Sequence, residues 1–182
     1  MSIQRESKVT PLIGMVIGSD SDLPIMKSAL ELLDKWDVPY EVRILSAHRT
    51  PTGAAHYAKT ARERGLRVIV AAAGMAAHLP GVLASYTTLP VIGVPIASGQ
   101  LGGVDALYAI VQMPPGIPVA SVGINAGKNA AILAVEILGL TDSLWQDKLA
   151  AYRQEQARNV LDKDQSLREL GYHGYLSGGK RS

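Results

Sequence analysis

The chain has 182 residues, 18 basic against 16 acidic for a net charge of +2, and no cysteine. One domain is the default at this length, with room for a sizeable core, and the missing cysteine excludes disulfides and thiolate metal sites. The charges are spread along the chain, so no long basic stripe invites nucleic acid, whereas a phosphorylated small molecule suits the balance.

Five short apolar segments, residues 12–17, 41–45, 67–72, 91–96 and 118–124, are each followed by a turn and a helix-like stretch. Continuous apolar runs of this length predict parallel strands covered on both faces. After the first, residues 24–36 carry Ile25, Ala29, Leu32 and Leu33 at helical spacing, with Asp22 placed to cap the helix. After the second, residues 52–64 have an alanine-rich helix composition that ends at Gly65. The repeated strand, helix, strand order predicts right-handed crossovers and a three-layer α/β/α sandwich around a central parallel sheet. Its functional edge is then the carboxyl ends of the strands.

With no Phe and only two Trp, the core must be aliphatic. Residues 129–138 read as a buried helix and 141–170 as one or two amphipathic helices with an apolar stripe of Leu144, Trp145, Leu149 and Tyr152. These later helices pack on their own domain or reach a neighbouring subunit. Residues 1–170 are therefore expected to form one α/β domain with a C-terminal helical extension, and glycine-rich residues 171–182 a mobile tail. Residues 1–8 are polar rather than a secretory leader, and no run of about 20 apolar residues would span a membrane. A soluble cytoplasmic protein is expected.

The segment Ser46-Ala47-His48-Arg49-Thr50-Pro51 ends an apolar run with an imidazole and a guanidinium side by side. Pro51 suits the first turn of a helix, so His48 and Arg49 stand at a strand-to-helix junction, a proton-transfer group beside an anion-binding group. Imidazole is the side chain that titrates unperturbed near neutrality. Gly18-Ser19-Asp20-Ser21-Asp22 follows the first strand and offers backbone N–H groups, hydroxyls and a helix N-terminus to a phosphate. A plain capped turn accounts for the same residues, and Asp20 with Asp22 is a weaker candidate for a divalent cation.

The third strand delivers Ala71-Ala72-Ala73-Gly74-Met75-Ala76-Ala77-His78-Leu79-Pro80-Gly81, small residues that let a ligand approach the backbone, or that simply pack tightly. His78 reads as a second pocket histidine, while His56 and His173 read as surface residues and no metal-ligand spacing appears. The proline-rich link at 112–118 and Lys128-Asn129 are further candidates for the same edge.

Together with Gly93-Val94-Pro95 and Ile110-Val111-Gln112-Met113-Pro114, these motifs make the chain resemble the PurE family of purine biosynthesis from residue 11 to about 158. The resemblance implies a flavodoxin-like fold, a cytoplasmic homo-octamer, no cofactor and no metal. It also implies a mutase that moves a carboxyl group from the exocyclic nitrogen of N5-carboxyaminoimidazole ribonucleotide to ring carbon C4, by release and recapture of trapped CO2. An ATP-dependent synthetase of that ribonucleotide is its pathway neighbour.

On matching positions the resemblance makes His48 catalytic. Ser19 and Arg49 lie near the phosphate and Asp22 near the ribose, with Gly18, Ser21, Ser46, Ala73, Gly74, His78 and Leu79 completing the substrate site. The Ala76-Ala77-His78-Leu79-Pro80-Gly81 pattern favours the mutase over the branch that carboxylates aminoimidazole ribonucleotide directly with CO2. A flavodoxin-like module that binds a phosphorylated ligand without catalysis, and a structural assembly protein, are the alternatives from other classes.

This chain departs from the family at Ala72 and Met75, where Gly is common, and at Ala106 and Ala109, where Ser is common; its 123–128 segment is also short. If residue 75 sits at positive φ, Met75 is strained or the loop is reshaped.

Overall fold

The computed structural model describes residues 10–178; the polar residues 1–8 and the last four residues of the expected tail lie outside them. The described residues divide into two compact units at Leu138/Gly139.

The first unit is an α/β sandwich. Its strands are β1 (Ile13–Ile17), β2 (Tyr40–Ile44), β3 (Val68–Gly74), β4 (Val91–Ile96) and β5 (Ala120–Ser121). Its helices are α1 (Leu23–Lys35), α2 (Pro51–Thr60), α3 (Leu79–Ser85), α4 (Val104–Val111) and α5 (Gly127–Gly139), the last of which ends at the unit boundary. The sheet is all parallel in the order β2-β1-β3-β4-β5. That is the flavodoxin-like order, which reverses direction between β1 and β3 and so opens a crevice at their carboxyl ends.

β1, β3 and β4 behave as expected for strands covered on both faces, with Ile13, Ile17, Ile69, Ile92 and Ile96 almost wholly buried. β2 does not. As the edge strand it leaves Val42 37 % and Ile44 56 % exposed, so its apolar character reflects a face this unit leaves open. The core is aliphatic, with Trp36 and Tyr57 its buried aromatics among the described residues of this unit.

Two further expectations change. The strand foreseen over 118–124 shrinks to two residues. Pro118 cannot donate to a ladder, and Asn125 turns the chain with φ 58. Single bonds from Val122 N–H to the Gly93 carbonyl (3.2 Å) and from Asn125 N–H to the Pro95 carbonyl (2.8 Å) replace the regular pairing. Asp22 also does not cap α1 through its side chain, because a 3-10 turn over Asp20–Asp22 intervenes and Ser19 caps that turn.

The second unit carries α6 (Ser143–Leu176), started by Asp142, whose carboxylate accepts from Leu144 N–H at 2.9 Å. Trp145 and Leu149 of the expected stripe are buried, whereas Leu144 points outward. Gly171, where the tail was expected to begin, breaks the helix with φ 64 and ψ 164, and helical turns resume as far as Leu176. No helix among the described residues is long and apolar enough to cross a membrane.

Candidate active site

Three turns at the carboxyl ends of β1, β2 and β3 build one cavity of ≈ 490 Å³, within the range of small-molecule sites. The first turn organises itself. Ser19 takes an extended conformation, and its N–H donates to Asp22 Oδ2 at 3.1 Å while its Oγ accepts from Ser21 N–H at 3.4 Å and from the Ser21 hydroxyl at 2.9 Å. This capping box satisfies backbone donors in both directions and holds two hydroxyls at the cavity. Burial pushes the Asp22 carboxyl above its usual range, against the pull of hydrogen bonds from Ser19 and Ser21 and of the Arg49 charge.

The second turn is locked by Thr50, whose hydroxyl accepts from Ser46 N–H at 2.9 Å and whose N–H donates to the Ser46 carbonyl at 2.9 Å. Ser46 Oγ in turn accepts from Arg49 N–H at 3.1 Å, and the Arg49 guanidinium reaches across to the Gly18 carbonyl at 3.2 Å. The guanidinium therefore bridges the first two turns, with donors left over for an anion. This fixes an electropositive end beside the serine turn.

At the other end the walls are small and apolar: Ala73, Gly74, Ala76 and Leu79. Gly74 lies close against the β4 turn, so a Cβ there would meet the Ser98 hydroxyl, which would have to turn aside, and would stand 3.2 Å from the Ile96 carbonyl oxygen. His48 lines the cavity as well, and His78 stands behind it, outside the lining residues. His48 Nε2 lies 2.8 Å from His78 Nδ1 with the rings edge to face, so one imidazole donates and the other accepts. Both rings are exposed, and His48 Nδ1 has no hydrogen-bond partner among the described residues.

Ten of the eleven sequence-derived site residues (His48, Ser19, Asp22, Arg49, Gly18, Ser21, Ser46, Ala73, Gly74 and Leu79) line this cavity, and His78 joins it through His48. The 112–118 link does not line it. Its Met113 packs behind α3, with Sδ 3.0 Å from where a Gly81 Cβ would stand. Lys128 and Asn129 do not line it either. His56 borders a separate cavity with Arg43 and Arg64, and His173 belongs to the end of α6. No group of three His, Asp or Glu among the described residues is placed to hold a metal ion.

Sequence reasoning missed Ser98, although its place directly after β4 marks it by the same strand-end rule. Met75 also lines the cavity, and its φ is 54, so the side chain common sense would replace by glycine is carried in the left-handed region. For a non-glycine residue this costs about 1–2 kcal/mol.

A sequence profile of the AIR carboxylase family matches residues 12–159. The chain is 56 % identical over 167 residues to the N5-carboxyaminoimidazole ribonucleotide mutase of Pyrococcus horikoshii, covering 92 % of this chain and 94 % of that one. It is also 51 % identical to the phosphoribosylaminoimidazole carboxylase of Candida albicans, over 93 % of this chain but only 30 % of that much longer protein. A crystal structure of PurE from Treponema denticola superposes with a TM-score of 0.78 at 29 % identity, covering 86 % of this chain and 98 % of that one. The chain belongs to the AIR carboxylase family.

Proposed function

We propose that the protein is an N5-carboxyaminoimidazole ribonucleotide mutase, an isomerase that forms 4-carboxy-5-aminoimidazole ribonucleotide. The observation that carries this reading is His48, hydrogen-bonded to His78 and lining one cavity that has an arginine-and-serine anion end and a small-residue apolar end. A ligand with a phosphate at one end and a heterocycle at the other fits that polarity.

In this reading Arg49 and the Ser19 turn bind the phosphate, Asp22 accepts from the ribose hydroxyls, and the ring is held fixed while the carboxyl group changes position. The N–C bond of the carbamate breaks, its electron pair stays on nitrogen, and protonated His48 supplies the proton. Free CO2 is then attacked by ring carbon C4. Neutral His48 removes the C4 proton, the ring regains aromaticity, and the histidine returns to its starting state. His78, hydrogen-bonded to His48, holds the ring in place and gives the proton a second basic site.

The test is direct conversion. Purified protein and N5-carboxyaminoimidazole ribonucleotide, without ATP, should give the 4-carboxy product faster than spontaneous decarboxylation. Decarboxylation alone would overturn the proposal. A second reading, direct carboxylation of aminoimidazole ribonucleotide, is favoured by the name of the Candida relative. Efficient turnover of that ribonucleotide at low bicarbonate would establish it instead.

The reading extends to the setting of the protein. It places the enzyme in the cytoplasm after an ATP-dependent N5-carboxyaminoimidazole ribonucleotide synthetase, with no cofactor, and as a homo-octamer. Exposed Val104, Tyr108 and Val111, which form one stripe on α4, together with Val42 and Ile44 on β2, are apolar surface available for such assembly. Light scattering of the full chain tests the octamer.

A further inference from the structure

The turn after β4 holds Ser98 in place without using its hydroxyl. Next to it, Ala97 N–H donates to the Asn125 side-chain carbonyl at 2.8 Å, and Asn125 N–H donates to the Pro95 carbonyl at 2.8 Å. From the other side Gly103 packs so close that a Cβ there would stand 2.9 Å from Ala97 Cα. The backbone at Ser98 is therefore pinned, while its Oγ has no hydrogen-bond partner among the described residues.

Gly74 faces that hydroxyl. It is not among the glycines with positive φ, so its backbone conformation does not call for glycine. Space does, because a Cβ at residue 74 would meet the Ser98 hydroxyl and turn it aside. The end of β3 is thus cut back where Ser98 borders the cavity that Ala73, Ala76 and Leu79 also line. Those three walls carry no side-chain donor, and Ser98 brings one.

In the mutase reading, on which this inference rests, the phosphate takes the Arg49 end, so the heterocycle and its carboxyl group lie toward this wall. Substrate carries the group as a carbamate and product as a carboxylate, and both are anionic acceptors. Free CO2 has no charge, and aminoimidazole ribonucleotide has no carboxyl group. We propose that Ser98 donates a hydrogen bond to the carboxyl group of the bound ribonucleotide, and so sets the preference of the site for carboxylated over uncarboxylated ligand. Hydrogen bonds to charged groups are about twice as strong as neutral ones. The bond therefore favours the two carboxylated states over the CO2 state between them, and its loss raises KM more than it lowers kcat.

Calorimetry on the full-length protein reads the preference. The 4-carboxy product and aminoimidazole ribonucleotide are each titrated into the His48→Asn protein, which keeps the carboxyl group in place during the measurement, and into the same protein carrying Ser98→Ala. Loss of the hydroxyl should weaken binding of the carboxylated ligand about tenfold and leave aminoimidazole ribonucleotide at its parental Kd. With His48 intact, Ser98→Ala should raise KM for N5-carboxyaminoimidazole ribonucleotide by a similar factor, with a smaller change in kcat.

An equal change for the two ligands overturns the assignment, since a distorted cavity does not distinguish them, and so does no change for either. A His48→Asn parent that binds neither ribonucleotide overturns the mutase reading, and the assignment with it.

Discussion

The two ends of the cavity are built by opposite means. At the β1 and β2 turns the side chains are tied to one another: Ser19 to Asp22, Ser46 to Arg49, Thr50 to Ser46, and Arg49 to the Gly18 carbonyl. At the β3 turn the shape is held by packing and backbone, with Leu79 and Ala77 buried and Met75 in the left-handed region. A polar end built this way presents donors in fixed directions, and an apolar end excludes water. The contrast teaches that recognition and confinement can be altered separately.

Substitutions sharpen or break that division. The largest effect belongs to the group between the two ends: His48→Asn should lower kcat about 10²–10⁴-fold while the ribonucleotide still binds, as calorimetry would read. A variant with normal turnover would remove His48 from the chemistry.

Next comes the apolar end. Leu79, 2 % exposed, sits in the core as well as in the cavity wall, so Leu79→Ala should cost about 2–5 kcal/mol in denaturant unfolding. An unchanged unfolding midpoint would mean that this wall is not set by core packing.

Arg49→Ala should act on the other axis, raising KM about 10–100-fold, the loss of hydrogen bonds to a charged group, with little change in unfolding. A fall in kcat at constant KM would contradict a phosphate anchor.

The smallest effect is at Asp22. Because burial raises its folded pKa above 3.8, the protonated form is favoured in the fold, so this term stabilises fully below pH 3.8 and is lost as pH rises through the raised folded value. Asp22→Asn, which still accepts from Ser19 N–H, should therefore be slightly more stable than wild type at pH 7. That advantage should shrink toward pH 4 in thermal melts, and an advantage that grew on acidification would refute the cause assigned here.

Much of this was legible along the chain. The 91–96 segment is a strand over its full predicted length, and Pro51 opens α2 as its fixed φ requires. The short turns after β1 and β2 carried their chemistry in consecutive residues, so Ser19, His48 and Arg49 were found together. Other features were not legible. The capping role passed from Asp22 to Ser19 because the 3-10 turn shifts the helix start by a few residues, a choice made by backbone geometry rather than residue type. The exposure of β2 depended on its being an edge strand, which follows from sheet order alone. The 118–124 segment had strand composition but lost its ladder to Pro118 and the Asn125 turn.

Local order therefore determined the alternation of strands and helices, the turn chemistry and the identity of the reactive groups, since each depends on neighbours a few residues away. The tertiary structure alone decided that His48 meets His78, thirty residues on, at 2.8 Å. That meeting requires β2 and β3 to flank β1 in a register pairing Ile17 with both Ile44 and Ala72. It likewise decided that Met75 takes φ 54 beside Gly99. Both depend on how separate strands are packed, and packing is a property of the whole core rather than of any one segment.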